Sequence, residues 1–310
     1  MQMLGRLHLV AVSLLFAVSA FCATPEAGAT QPSHRRSPYV GAISADAKTG
    51  RILFQENANA EAYPASVTKL MTLLLVLEDV EAGKYTLTTL VTAGDEATRL
   101  SEPSWVDLRP GESMTVDDLL TALMVKSAND AAVALGVNSA GSFDAFVARM
   151  NERAAALGMT RTRYYNPNGL PPTSTTSSGR TRRYPWKSFN VSTCADQLKL
   201  AMELVKKPQV FRYTSQKVAS VTNGRGERLE FINHNNLMVK NRHKVMNPDG
   251  TEAVDGLKTG YIDAGGSSIV LTGKRGDVRA IVVVLGSATA KERDESAGRL
   301  LSDALDALDW

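Results

Sequence analysis

Between residues 67 and 80 the apolar positions fall at Val67, Leu70, Met71, Leu74 and Leu75 and then close around the whole circumference. That spacing predicts a helix buried on all sides. Upstream, residues 39–44 and 51–55 flank the turn Asp46-Ala47-Lys48-Thr49-Gly50 and predict two strands. Leu108-Arg109-Pro110-Gly111 marks a turn, and Thr115 with Asp118 three residues on predicts a capped helix running to about Lys126. A second helix is expected over residues 130–137, and a third starts at Ser142 and stops at Gly158. Together they predict a helical lobe over about residues 84–160, and residues 196–205 predict one more helix. From Ser267 the period changes. Ser268-Ile269-Val270-Leu271-Thr272, the turn Lys274-Arg275-Gly276-Asp277 and residues 278–285 predict a hairpin, and residues 294–308 an amphipathic helix. Strands at both ends with helices between predict an α/β (α+β) fold: one antiparallel sheet built from both chain termini, covered by helices, with a helical lobe inserted.

The first residues follow another logic. Arg6 and His8 precede an apolar run over residues 9–22, which reads as a secretory leader. Val18-Ser19-Ala20 and Ala27-Gly28-Ala29 both fit a cleavage site, so the cut falls after residue 20 or 29; an uncleaved anchor is the alternative. Residues 1–29 are thus expected as a signal peptide, 30–37 as a flexible lead-in and 38–310 as one domain in an exported, periplasmic or extracytoplasmic protein. Removing residues 1–29 leaves Cys194 alone, so no internal disulfide is expected. Residues 160–193 read as a long loop with Pro171-Pro172, a Ser/Thr-rich run and Arg180, Arg182, Arg183 and Lys187. It is either a solvated insertion or a basic rim for an anionic polymer. A net charge of +3 over 310 residues gives no reason to expect a nucleic-acid partner.

Three short motifs carry chemistry. Ser66-Val67-Thr68-Lys69 puts a hydroxyl and an amine one helical turn apart. Serine needs an adjacent base, and lysine becomes one when burial or a nearby cation lowers its pKa. Ser66 is the one serine with lysine three residues later. Ser127-Ala128-Asn129 lies between two predicted helices, where the hydroxyl can relay a proton and the amide can hold a carbonyl or orient the lysine. A helix N-cap is the plain alternative for Ser127. Ser188-Phe189-Asn190 repeats the pattern inside the basic loop, with no helix to fix it. Lys258-Thr259-Gly260 offers a cation and a hydroxyl to a carboxylate, with a glycine that admits a close backbone. Its second copy, Lys48-Thr49-Gly50, sits in the first hairpin turn and reads as structural. His34, His234 and His243 remain after the leader, with no H-E-x-x-H, so no metal or cofactor site is expected and a Ser-His-Asp triad is disfavoured. His234 and His243 read as surface or structural residues of a polar connector.

Longer stretches raise the specificity. Pro64-Ala65-Ser66-Val67-Thr68-Lys69-Leu70-Met71-Thr72, Asn166-Pro167-Asn168-Gly169-Leu170, Asn233-His234-Asn235-Asn236-Leu237 and Val254-Asp255-Gly256-Leu257-Lys258-Thr259-Gly260-Tyr261 resemble the low-molecular-mass penicillin-binding proteins, the D-alanyl-D-alanine carboxypeptidases, over roughly residues 37–305. The resemblance implies a β-lactamase/transpeptidase-like fold with a cleft between sheet and helical lobe. It implies Ser66 as nucleophile, Lys69 as base, Ser127 as proton relay and Asn129 as a contact for substrate and Lys69. It also implies backbone N–H groups of Ser66 and Tyr261 as the oxyanion hole, with Lys258, Thr259, Gly260 and Tyr261 binding substrate. The implied partners are peptidoglycan stem peptides and acylating β-lactams, with peripheral contact to the cell wall or membrane surface as a further expectation.

The chain departs from that pattern in three places. Ser287-Ala288 follow Gly286 where many relatives have an arginine, which leaves the grip on the carboxylate open. The loop over residues 171–190 is longer than usual, and the sequence ends at Trp310, where relatives often carry a β-rich second domain and a C-terminal anchor. A DD-endopeptidase uses the same machinery and stays an alternative, as does a non-catalytic wall-binding protein. A class A-like β-lactamase needs a deacylating glutamate, and residues 153–195 contain neither Glu nor Asp.

Overall fold

The computed structural model describes residues 37–100, 104–175, 181–240 and 244–308. The expected leader, and all of the lead-in except residue 37, lie outside the described residues. In chain order the elements are β1 (Gly41–Asp46), β2 (Ile52–Glu56), α1 (Lys69–Glu81), β3 (Leu90–Thr92), α2 (Asp95–Thr98), β4 (Ser113–Thr115), α3 (Val116–Thr121), α4 (Asn129–Ala140) and α5 (Phe143–Ala156). They continue with β5 (Thr173–Thr175), β6 (Thr181–Arg183), α6 (Cys194–Val205), α7 (Gln209–Thr214), β7 (Val218–Thr222), β8 (Arg228–Ile232) and α8 (Asn236–Val239). The last four are β9 (Val254–Ile262), β10 (Gly266–Arg275), β11 (Val278–Ser287) and α9 (Ala290–Asp306). A 3-10 turn, Ala65–Thr68, leads into α1, and a π-helical turn, Ala122–Lys126, follows α3.

Alternation along β11 explains the layers. Ala280, Val282 and Val284 point into one apolar cluster, and Ile281, Val283 and Leu285 into the other. Both faces of the strand are therefore buried, which is why it reads as a continuous apolar run. The sheet runs β2-β1-β11-β10-β9 and is antiparallel throughout, built from the two ends of the described chain as the pattern predicts. On one face α9 buries Ala297, Leu300, Leu301, Ala304 and Leu305. A capping box starts this helix: Glu292 N donates to Thr289 Oγ1 and Thr289 N to Glu292 Oε2. On the other face lies the larger cluster, centred on α1, whose residues 69–77 are all buried.

The predicted lobe is present. Thr115 Oγ1 accepts from Asp118 N and Ser142 Oγ from Ala145 N, the two caps that the sequence marks. The loop over residues 160–193 is more ordered than expected. β5 pairs with β6, Arg163 bridges Val191, and buried Trp186 donates from Nε1 to the carbonyls of Leu170 and Pro171. Residues 176–180, with Arg180, lie outside the described residues. Among the described residues no single helix is long and apolar enough to cross a membrane.

Candidate active site

Ser66 sits where the chain is bent hard. Ala65 takes a φ of +50°, a left-handed conformation that alanine seldom adopts. Gly169 supports this bend from outside: its φ is +86°, and a Cβ there would lie 1.9 Å from the Ala65 carbonyl oxygen. Only glycine fits that contact. One turn later, Lys69 is fully buried. Its Nζ lies 2.9 Å from Ser66 Oγ, 2.8 Å from Asn129 Oδ1 and 2.7 Å from the Asn168 carbonyl oxygen. An ammonium would donate to all three. A free amine spends its two N–H groups on the two carbonyl oxygens and keeps its lone pair facing the serine hydroxyl. Burial pushes Lys69 well below the usual lysine range, Lys258 adds to the shift, and Asp130 opposes it.

The Asn168 carbonyl is delivered by a scaffold of asparagines. Asn166 Oδ1 accepts from Gly169 N at 2.6 Å, and Asn166 Nδ2 donates to the Leu170 carbonyl at 3.0 Å. Thr72 Oγ1 on α1 donates to the Pro167 carbonyl at 2.7 Å. Asn190 Nδ2 ties the loop to Thr68 Oγ1 at 3.0 Å and to the Asn166 carbonyl at 3.0 Å.

Ser127 ends the π-helical turn with a φ of +62° and is buried. It is not the N-cap that the sequence offers as the plain alternative: Ala128 holds that position for α4. The bend aims Ser127 and Asn129 into the same space. Asn129 N donates to the Ser104 carbonyl at 2.7 Å, and Ser104 Oγ to the Lys126 carbonyl at 2.7 Å. Beneath them Asp130 accepts from the backbone N–H groups of Val106, Leu108 and Ala131. Burial raises its pKa to about 6.

The third wall is β9. A Cβ on Gly260 would lie 2.7 Å from the Pro64 carbonyl oxygen and 3.0 Å from Ser66 N, so the strand backbone lies against the Ser66 turn. Lys258 is buried, and its Nζ donates to the Thr259 carbonyl at 3.0 Å. Burial, followed by the charge of Arg293, lowers its pKa to about 7. Six of the eight predicted residues, Ser66, Ser127, Asn129, Thr259, Gly260 and Tyr261, line one cleft of about 290 Å³. Lys69 and Lys258 lie beside it, hydrogen-bonded to Ser66 and Thr259. Such a site can activate a hydroxyl, deliver a proton and hold an anion.

A family model described as D-alanyl-D-alanine carboxypeptidase, Peptidase_S11, matches residues 29–289. The chain belongs to that family. It is 30% identical over 303 residues to the D-alanyl-D-alanine carboxypeptidase DacF of Bacillus subtilis, covering 98% of this chain and 70% of that one. To DacA of Escherichia coli it is 31% identical over 266 residues, covering 84% of this chain and 59% of that protein's length. Among solved structures it is similar to penicillin-binding protein D2 of Listeria monocytogenes in its ampicillin-bound form. The TM-score is 0.69, with 28% identity, 87% of this chain and 99% of that chain covered. The antiparallel sheet covered by helices is therefore the penicillin-binding-protein fold.

For this carboxypeptidase-family chain the structure adds residues that the motifs missed. Arg293, at the start of α9, lines the cleft. Its signal was faint, because one arginine on a charged helix reads as a solvated face. His234 is exposed, as the sequence reading has it, and it also lines the cleft. Desolvation first, and then Lys258, Lys126, Lys69 and Arg293, push its imidazole down to about 4. Asn190, dismissed as a repeat of the second motif, is buried structure behind Lys69. The decoy Lys48-Thr49-Gly50 is a turn, with Gly50 at φ +76°.

Proposed function

We propose that this chain is a serine-type D-Ala-D-Ala carboxypeptidase that removes the terminal D-alanine of peptidoglycan stem peptides through an acyl-enzyme on Ser66. The observation that carries this reading is the Lys69 amine, held by two carbonyl oxygens with its third contact on Ser66 Oγ. Neutral Lys69 takes the hydroxyl proton as Ser66 Oγ bonds to the carbonyl carbon between the two D-alanines. Negative charge on the carbonyl oxygen is met by the N–H groups of Ser66 and Tyr261. Ser127 passes the proton to the leaving amine, the C–N bond breaks, and free D-alanine departs. Water then attacks the ester, Lys69 again accepts the proton, and Ser66 is restored.

Lys258, Thr259 and Arg293 hold the terminal carboxylate. Lys258 forms no ion pair with any carboxylate among the described residues, and an incoming anion supplies one. Tyr261 and Gly260 let the peptide lie along the open edge of β9. β-Lactams that mimic the D-Ala-D-Ala end acylate the same serine. The apolar leader supports export, so the chemistry takes place at the cell wall.

Digested peptidoglycan analysed by mass spectrometry after treatment with the protein tests the reading. Loss of one terminal alanine from pentapeptide stems is the expected result. Conversion of cross-linked dimers to monomers with intact stems would replace it with the DD-endopeptidase reading. Rapid, complete turnover of a chromogenic cephalosporin would point instead to a β-lactamase.

A further inference from the structure

The stretch Asn233-His234-Asn235-Asn236 has no part in the steps above. Its asparagines fold it. Asn233 Oδ1 accepts from Asn235 N at 2.9 Å, and Asn235 Oδ1 from Leu237 N at 3.1 Å. These turns set Asn236 on the cleft wall, where its Nδ2 donates to Asp294 Oδ2 at 2.8 Å. The other oxygen of Asp294 accepts from Arg293 Nε at 2.8 Å and from Arg293 Nη2 at 2.6 Å. Asp294 is 1% exposed and Arg293 4%.

Neighbouring residues on a helix do not normally face each other. Here both side chains turn to one side in the first turn of α9, and the pair is sealed from solvent. A guanidinium has five N–H donors in a rigid fork. Asp294 occupies the Nε side, and Nη1 has no partner among the described residues. Arg293 lines the cleft, and its charge is felt by Lys258.

We propose that Asp294, braced by Asn236, is a positioning residue that holds Arg293 with Nη1 presented to the terminal carboxylate of the substrate. The proposal rests on the reading of this end of the cleft as a carboxylate site. A flexible arginine would lose part of its binding energy to ordering; one already locked by a buried carboxylate does not. The acid also offsets a cation that would otherwise stand beside Lys258 with no anion near it.

The test uses the whole protein and two N-acylated peptides that end in D-Ala-D-Ala, one with a free carboxylate and one with a terminal amide. kcat and KM are measured on both for the native protein, Asp294→Asn, Asp294→Glu, Asn236→Ala and Arg293→Ala. In Asp294→Asn the KM for the carboxylate peptide is expected to rise about tenfold more than that for the amide, the order expected for one charge-assisted contact. kcat should change much less, and Asp294→Glu should recover part of the loss. Asn236→Ala should move the KM ratio the same way by a smaller factor, which keeps the test open if Asp294→Asn does not fold. An unchanged KM ratio in both variants, while Arg293→Ala shifts it, overturns the role of Asp294 alone. An unchanged ratio in Arg293→Ala as well overturns the carboxylate site on which the proposal rests.

Discussion

At the scale of single residues, the site is a matter of where charge is left unpaired. Lys69 and Lys258 are both buried, and neither pairs with a carboxylate among the described residues. If Ser66 is the nucleophile, Ser66→Ala abolishes labelling by a fluorescent penicillin and lowers peptidase activity by about a thousandfold or more; persistent labelling would remove Ser66 from the mechanism. Lys258 yields a pH prediction. Its pKa of about 7 means that it is charged below that pH and neutral above it. Carboxylate binding should therefore weaken as pH rises, so KM for a free-carboxylate peptide climbs between about pH 7 and pH 9. Lys258→Arg, whose charge does not titrate in this range, should abolish that climb. A flat native KM over the same range would contradict it. Ser66, both lysines, Ser127 and Asn129 were legible as candidates because residue type and short spacing define what chemistry they offer. Arg293 was not, because its place in the cleft depends on how α9 docks and on a carboxylate one residue away.

Among the elements, precision comes from tight turns. The Asn166-Pro167-Asn168-Gly169-Leu170 loop carries the Lys69 acceptor and props the Ala65 bend. Gly169→Ala would put a methyl into the Ala65 carbonyl at a φ that alanine resists. It should destabilise the fold by about 2 kcal/mol or more and slow Ser66 acylation at least tenfold. Urea unfolding and penicillin acylation rates measure both, and a variant with native values would show that the loop merely fills space. The sequence pattern found the long helices α1, α4, α5, α6 and α9 and the C-terminal hairpin because they bury long periodic faces. It marked Lys258-Thr259-Gly260 but not the bounds of β9, since Asp255, Gly256, Lys258 and Gly260 break the apolar run and the register comes from β10. The β7–β8 hairpin and α7 went unread. Their buried faces are short, and the Asn223-Gly224 turn signal stood without long strands beside it.

At the scale of the whole molecule, a sheet with two covered faces joins both ends of the described chain to a helical lobe, and the cleft lies where the lobe meets β9. That architecture was legible because strands clustered at the two ends and helices between. What ties the lobe together was not, because its partners are distant in sequence. Asp79 on α1 accepts from Arg149 on α5 and Ser139 on α4, and pairs with Lys84. Burial would raise its pKa, but Arg149, Lys84 and Ser139 outweigh burial and hold it at about 2. A carboxylate depressed in the folded state adds stability above its unfolded pKa of about 4. That contribution is lost as pH falls toward 2. Asp79→Asn should therefore be less stable than the native protein at pH 7, and the gap in urea midpoint should narrow between about pH 4 and pH 2. A gap that stays constant with pH would mean that the charge of Asp79 contributes nothing.

That Lys69 rests uncharged is the proposal at the centre of the mechanism, and the pH dependence of Ser66 acylation tests it most directly. The rate of penicillin adduct formation, followed by intact-protein mass, should already be at its plateau near neutral pH. It should fall only as acid protonates the amine. A rate that keeps climbing toward the ordinary lysine pKa, about 10.4, would show a charged Lys69 in the resting protein and contradict the mechanism.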